Sequence, residues 1–564
     1  MSSADIQPRN TSARAAEIEA REEGWWRGAV IYQIYPRSFM DSSGDGIGDL
    51  RGVIDKLGYV ADLGVDAIWL SPFYKSPMKD FGYDVSDYRS VDPVFGELDD
   101  FDRLVETAHR FGLKVVIDQV LSHTSDEHPW FAESRQSRDN PRAGWYVWAD
   151  PRDDGTPPNN WLSVFGGPAW QWEPRRRQYY LHNFLASQPD LNYHEPAVVE
   201  QMLEEVRFWL ARGVDGLRLD AINFCYHDRL LRDNPAKPHA ARVGHGYRTD
   251  NPYAWQYHRY DNTQPENLEF IRRLRRLADG FPGIALLGEV TGEDPLDTMR
   301  EYTRGNDRLH MAYNFDLLAD EFSLARIRNA VEGLENDGGD CWPCRSIGNH
   351  DVARVATRWA AGGSSDARSK LLNALVLSLK GSVCCYQGDE LGLTQAELAP
   401  EDIRDPYGVA FWPLFAGRDG CRTPMPWSAS ARGSGFSLGV PWLPVPDEHR
   451  ARAVDRQAED PESVLNAYRR FVRWRRAQPA LVHGDIRFTE SPAGTLAFIR
   501  WNRDDGVLAV FNFNDAAVAY ALPDLPGAAP LTGHGFAPCS VHGQVARIPP
   551  HSAFFASLTP PPLP

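Results

Sequence analysis

VDGLRLDAI, residues 214–222, alternates leucine with charge through Leu217, Arg218, Leu219 and Asp220, and it closes on a carboxylate. Period-two alternation is the mark of a strand, and Arg218 and Asp220, two residues apart, point to one face. Seven further apolar runs end in polar or charged residues: AVIYQIYP (29–36), VDAIWLSP (65–72), LKVVIDQVLSH (113–123), ALLGEV (285–290), HMAYNF (310–315), CRSIGNHD (344–351) and SVCCYQGDE (382–390). Between them lie amphipathic stretches such as LDDFDRLVETAHRFG (98–112) and PAVVEQMLEEVRFWLARG (196–213), with apolar residues at helical spacing and a closing Gly as C-cap signal. Strands alternating with helices, eight times over, predict an α/β fold of the parallel (β/α)8 type, with packing beginning at Trp25.

The rest of the chain is organised around that barrel. Residues 1–23 read as a polar N-terminal tail. The catalytic barrel is expected over 24–123 and 190–480. Residues 124–189 interrupt it after the third strand and are rich in Trp, Pro, Gly and Asn, too long for an ordinary barrel loop and so a candidate inserted domain. A second long irregular stretch, about 225–262, follows the fourth strand on the face where such loops shape binding sites. From 481 to 564, runs such as LAFIRWNR and VLAVFNFN predict a C-terminal antiparallel β-sandwich.

A chain of 564 residues with net charge −17 and no Lys/Arg patch repels phosphate backbones and anionic lipid, so nucleic acid and membranes are excluded as expected partners. Seven scattered cysteines argue against a disulfide framework and for a reducing compartment. Cys341 and Cys344 have CxxC spacing, but no second pair or nearby His completes a zinc site. The first residues lack the apolar core of a signal peptide, and no segment is apolar enough to span a bilayer. The expectation is a soluble, cytoplasmic protein, monomeric or homodimeric.

In a barrel of this kind the informative residues stand at the C-terminal strand ends. Asp118 and His123 end the third run, Arg218 and Asp220 the fourth, Glu289 the fifth, and Asn349, His350 and Asp351 the seventh. Carboxylates converging from several strands are costly to bury, and glycoside hydrolysis is the chemistry that best uses them: one attacks the anomeric carbon and another protonates the leaving oxygen. Arg218 would hold Asp220 ionised, as a nucleophile requires.

Taken together, DQVLSH (118–123), GLRLDAINF (216–224), LLGEV (286–290) and IGNHD (347–351) resemble the four signature regions of the α-amylase superfamily, glycoside hydrolase family thirteen. QPDLN (188–192) is similar to its fifth region as found in α-glucosidases and oligo-1,6-glucosidases. The resemblance covers nearly the whole chain from Trp25. It implies Asp220 as nucleophile, Glu289 as general acid/base and Asp351 as the third carboxylate, gripping substrate hydroxyls. It implies His123 and His350 as hydrogen-bond partners of the sugar in the −1 subsite, with Tyr83 of DFGYD stacking on it. Asp80 and Arg418, the latter in GRDGCRTPMPW (417–427), resemble the pair that closes that subsite in exo-acting members. Phe165 and Phe184 in the inserted stretch and Arg218 beneath the nucleophile complete the expected substrate-binding set.

The resemblance further implies an α-glucosidase of the bacterial subgroup that also transfers glucose, with small α-glucosides and hydroxyl acceptors as its partners. Ala221 after the nucleophile is similar to α-1,4-preferring members, where Val accompanies α-1,6 preference. The alternatives are a sucrose-acting or oligo-1,6-glucosidase and transglucosylase relative and, outside enzymes, the heavy chains of amino-acid transporters, which are anchored and lack the catalytic carboxylates. No cofactor is expected for catalysis. DSSGDGIGD (41–49) looks like a calcium loop, and in this subfamily Asp41, residue 43, Asp45, the carbonyl of Ile47 and Asp49 hold Ca2+ or Mg2+; residue 43 is Ser43 where Asn is usual. Ser122 stands where amylases commonly have an Asn calcium ligand, which leaves His123 untouched.

Overall fold

The computed structural model describes residues 24–242, 249–335, 341–360, 365–522 and 528–559; the expected tail, 1–23, lies outside the described residues. Each of the eight apolar runs contains a strand: β1 Val30–Ile34, β2 Ala67–Leu70, β3 Lys114–Val120, β4 Gly216–Asp220, β5 Ala285–Glu289, β6 Met311–Tyr313, β7 Cys344–Ser346 and β8 Ser382–Tyr386. They pair in parallel in the order β6-β5-β4-β3-β2-β1-β8-β7. A parallel bridge between Ala312 and Pro343 brings β6 and β7 together and closes the barrel. Trp25 and Trp26 precede β1 in a turn, so regular pairing begins five residues later than the sequence suggested.

Parallel strands covered on both faces split their side chains between two cores. Inside the barrel pack Ile31, Ala67, Trp69, Val116, Leu287, Met311, Tyr313, Cys344 and Cys384, while Tyr32, Ile34, Ile68, Ile117, Leu217 and Leu219 face the helices. The helix Leu98–Arg110 shows why these segments are helical. Glu97 and Asp100 form a reciprocal capping box, and Phe101, Leu104, Val105 and Ala108 bury one stripe.

The interruption after β3 contains a helix, Pro129–Ser134, and a three-stranded antiparallel sheet of Trp148–Ala149, Trp170–Glu173 and Gln178–Leu181 around its own aromatic cluster. At the C-terminus a five-stranded antiparallel sheet, centred on Thr495–Trp501, Gly506–Asn512 and Ser552–Leu558, faces a three-stranded one across Ile499, Val510, Tyr520, Ile548 and Phe554. All seven cysteines are free, and six of them are buried. Among the described residues no helix is long and apolar enough to cross a membrane.

Candidate active site

Strand register brings the acidic strand ends together. On β3 and β4, Asp118 pairs with Arg218 and Val120 with Asp220; on β4 and β5, Leu219 pairs with Gly288, so Asp220 and Glu289 follow side by side. Immediately after Asp220 the chain turns through Ala221, whose φ of 39° and ψ of 45° lie in the left-handed region. For a residue with a Cβ this costs on the order of 1–2 kcal/mol. The turn aims the Ala221 N–H at Glu289, donating to its Oε2 over 3.0 Å.

Arg218 is the hub of the pocket floor. Fully buried, it donates from Nη1 to Asp118 at 2.9 Å and to Asp220 at 2.6 Å, and its Nη2 lies 2.8 Å from Glu289. Nη2 also donates to the Tyr313 hydroxyl at 2.7 Å, which in turn donates to Glu289 at 3.0 Å. Three carboxyl groups thus share one guanidinium. Burial lifts Asp220 to about 7 and Glu289 to about 7, with Arg218 pulling the other way in each case, and it lifts Asp118 to about 6. Arg218 lowers Asp220, as expected of the group that would hold it ionised, but a guanidinium divided among three acids only partly offsets their desolvation.

The wall is built differently. Arg418 donates to Asp80 at 2.7 Å, to Asp351 at 3.1 Å and, with two nitrogens, to Asp405 at 2.7 and 3.0 Å. Arg422 adds a second cation on Asp351 at 2.9 Å. Burial opposes the charge of Asp351, yet His350, Arg418 and Arg422 hold its carboxyl well below the usual carboxylate range. Asp405 is lowered against its burial by Arg418, whereas in Asp80 burial prevails and raises the carboxyl.

A cavity with about 820 Å3 of empty space, counting its open mouth, connects floor and wall. Of the residues expected at the site, Asp80, Tyr83, His123, Phe165, Phe184, Asp220, Glu289, Asp351 and Arg418 line it. Arg218 and His350 do not. Both are buried behind that lining, His350 in a relay in which Gln33 donates to Nδ1 at 2.8 Å, Nε2 meets the Tyr83 hydroxyl at 2.7 Å, and that hydroxyl donates to Asp118 at 3.0 Å. The His350 ring stacks on that of Tyr83, and its Nε2 also lies 3.3 Å from Oδ2 of Asp351, a residue of the lining. His123 lines the cavity with its ring, its Nδ1 bonded to Ser122 Oγ at 3.0 Å and its Nε2 to the Tyr83 carbonyl at 3.0 Å. Burial lowers His123 to about 4 and His350 to about 3, so both are neutral imidazoles near pH 7.

In loop 41–49 the acidic side chains are hydrogen-bonded within the turn and its neighbours. Asp41 accepts from Ser43 and the Gly44 N–H on one oxygen and from the Gly46 N–H and Ser437 on the other. Asp49 caps the helix Leu50–Asp62 through the Gly52 N–H at 2.6 Å and also binds Ser42 and the Ser43 N–H. Asp45 accepts from the Ile47 N–H. Among the described residues no three His, Cys, Asp or Glu side chains are gathered for a metal ion. The sequence signal was ambiguous for a physical reason: closely spaced Asp, Ser and Gly serve equally as cation ligands and as turn and helix caps.

Four residues that hold the site's charged groups were missed. Arg422 stands in the quoted GRDGCRTPMPW run and Gln188 in QPDLN, where it donates to Asp80 at 3.1 Å. Tyr313 closes the β6 run, so its strand-end position was the available signal. Asp405 lies in a long excursion after β8, where no period or motif marks it.

Comparison with known proteins agrees with this architecture. The model of the alpha-amylase catalytic domain matches residues 33–484. A probable alpha-glucosidase of Rhizobium meliloti (strain 1021) is 54% identical over 540 residues, 95% of this chain and 98% of that protein. An oligo-1,6-glucosidase of Parageobacillus thermoglucosidasius is 36% identical over 536 residues, 89% of this chain and 93% of that one. Among solved structures, an alpha-glucosyl transfer enzyme superposes with a TM-score of 0.93 at 58% identity, covering 95% of this chain and 99% of that one.

Proposed function

The chain belongs to the alpha-amylase family and is a glycoside hydrolase, and from that premise we propose a retaining, exo-acting α-glucosidase that releases glucose from the non-reducing end of short α-glucosides and passes part of it to hydroxyl acceptors. The observation that carries the reading is the single guanidinium of Arg218 holding Asp220 and Glu289 on adjacent nitrogens. Neighbouring strands lie about 4.8 Å apart, which suits the roughly 5–5.5 Å of a retaining carboxyl pair better than the wider gap of an inverting one.

In the first step Glu289 gives its proton to the glycosidic oxygen while Asp220 attacks the anomeric carbon, forming a glucosyl ester. In the second, Glu289, now ionised, takes a proton from water or an acceptor hydroxyl as the new C–O bond replaces the ester. Asp351, kept anionic by two arginines, grips sugar hydroxyls and favours the distorted ring. The Asp80, Arg418 and Asp405 wall closes the far end of the cavity, so a chain end enters and an internal segment does not. No cofactor takes part.

Ala221 leans the reading towards α-1,4 bonds, and the oligo-1,6-glucosidase relative supports the second reading, α-1,6 bonds. Hydrolysis of maltose, isomaltose, sucrose and starch, followed by proton NMR, tests both. We expect α-glucose as first product, maltose split faster than isomaltose, and no internal oligosaccharide from starch; β-glucose as first product removes the mechanism, and an isomaltose preference removes the linkage. A structural Ca2+ or Mg2+ on loop 41–49 would be held by Asp41, Ser43, Asp45, Asp49 and the Ile47 carbonyl, and the melting temperature with millimolar calcium against a chelator tests it.

A further inference from the structure

The outer wall of the cavity is assembled from three segments far apart in sequence: Val164 and Phe165 from the inserted region, Tyr253 from the excursion after β4, and Tyr407 from the excursion after β8. One side chain that lies outside the cavity lining joins all three. The Asn251 amide nitrogen donates to the Val164 carbonyl at 2.8 Å and to the Tyr407 hydroxyl at 3.0 Å, and its amide oxygen accepts from the Tyr253 N–H at 3.0 Å. It is 1% exposed. An amide with two donors and one acceptor engaged in a buried position fixes its partners far more tightly than a hydroxyl or an apolar side chain of that size.

This part of the lining is linked to the strand end that carries Glu289. Glu289 must face the glycosidic oxygen, and from the next residues a hydrogen-bond chain runs outward to Tyr253. Asn223 donates to the Thr291 carbonyl at 3.2 Å and to the Thr263 hydroxyl at 2.9 Å, Thr263 donates to Asn262 at 2.7 Å, and Asn262 donates to the Tyr253 hydroxyl at 3.3 Å. The Tyr253 ring is backed by the His258 imidazole, 3.6 Å away and nearly parallel, while the Tyr407 ring packs on Phe165 at 5.2 Å. Tyr253 and Tyr407 thus both line the cavity and are held in mutual register through Asn251.

We propose that Asn251 is a positioning residue that sets the width of the leaving-group and acceptor side, and thereby how often the glucosyl-enzyme is passed to a sugar hydroxyl instead of to water. This rests on the double-displacement reading above. In the step concerned the ester bond between the anomeric carbon and Asp220 breaks, a bond from that carbon to the acceptor oxygen forms, and the acceptor's proton goes to Glu289. Water reaches the same carbon without needing the wall, whereas a sugar acceptor must be held against Tyr253 and Tyr407.

The test compares the wild type with Asn251→Ala, Tyr407→Phe and the double variant, using p-nitrophenyl α-glucoside as donor and maltose as acceptor. Nitrophenol release counts turnovers; the fraction of donor glucosyl found in longer saccharides, read by chromatography, counts transfer. Asn251→Ala is expected to lower the transfer-to-hydrolysis ratio about tenfold while nitrophenol release at saturating donor falls less than about threefold. Tyr407→Phe, which removes one hydroxyl, lowers the ratio by a smaller factor, and the double variant is no worse than Asn251→Ala because both act through one contact. A wild type that transfers, with variants that transfer equally or whose effects multiply, overturns the role of Asn251 alone. A wild type that shows no transfer at any maltose concentration overturns the transfer reading and the inference with it.

Discussion

The floor and the wall of the cavity are made from the same parts, carboxyl groups around guanidinium groups, and they differ in how the charges balance. On the floor Asp118, Asp220 and Glu289 divide one cation, Arg218, and all three carboxyls are raised. On the wall Asp80, Asp351 and Asp405 divide Arg418, and Arg422 adds a second cation, so Asp351 and Asp405 are lowered and only the buried Asp80 is raised. An under-neutralised cluster retains a proton near neutral pH and can move it; a neutralised one keeps fixed charges and can only hold a ligand. The proposed mechanism accordingly puts proton transfer and nucleophilic attack on the floor and the recognition of the sugar on the wall.

The sharpest way to break that division is to neutralise each acid in turn. Asp220→Asn and Glu289→Gln are expected to lower kcat on maltose by about 10⁴ or more, because one removes the nucleophile and the other the proton donor. On a substrate with a good leaving group, Glu289→Gln should recover part of its first step and Asp220→Asn none, a contrast that stopped-flow release of nitrophenol reads directly. Equal recovery in both would erase the assignment of roles.

A smaller effect is expected from the wall. Arg418→Lys keeps one charge but loses the fork that reaches Asp80, Asp351 and Asp405 together, and kcat/KM on maltose should drop about a hundredfold, mainly through KM. If kcat alone falls, the wall takes part in chemistry and the comparison fails.

The floor also predicts a pH profile. On the proposed mechanism activity needs Asp220 ionised and Glu289 protonated, and since both carboxyls are raised to about 7, kcat/KM should follow a narrow bell centred close to pH 7. Tyr313→Phe removes a hydroxyl that donates to the Glu289 carboxylate, so its alkaline limb should move to higher pH by about half a unit, with kcat lowered roughly tenfold or less. A limb that moves to lower pH contradicts the proton's assignment to Glu289.

The smallest effect is on stability. A carboxyl whose folded pKa lies above its unfolded value binds its proton more tightly when folded, so its contribution declines as pH rises from about 4 to about 7 and the full cost is present above that. Replacing Glu289 by neutral Gln removes the cost, and the melting temperature at pH 8 should rise by about 1–3 °C. An Asp351→Asn variant, which leaves Arg418 and Arg422 less neutralised, should melt lower.

How much of this was legible before the fold was seen differs between the two regions. The floor lies on strands, where alternation fixes which side chains face inward: Arg218 and Asp220 follow from Leu217 and Leu219, and Glu289 from the end of ALLGEV. The wall hangs on the excursions after β2 and β8, whose path depends on contacts that no period encodes, and only the resemblance pointed to Asp80 and Arg418. Asp405 and Asn251 had no signal, because an Asp or Asn in an irregular loop is ordinarily a turn residue. For His350 the motif gives its position in the loop after β7 but not its packing against Tyr83, which comes from another segment. The charge balance itself was not readable, since it depends on how many acids share each guanidinium.

The most direct test of the account is to catch the glucosyl-enzyme. Glu289→Gln mixed with an aryl α-glucoside, acid-quenched within milliseconds, digested and mapped by mass spectrometry, should carry one added glucosyl mass on the peptide containing Asp220, and the adduct should vanish on addition of azide as α-glucosyl azide appears. A burst of phenol with no adduct, or an adduct on any other carboxylate, contradicts the assignment of Asp220 and with it the division of labour between floor and wall.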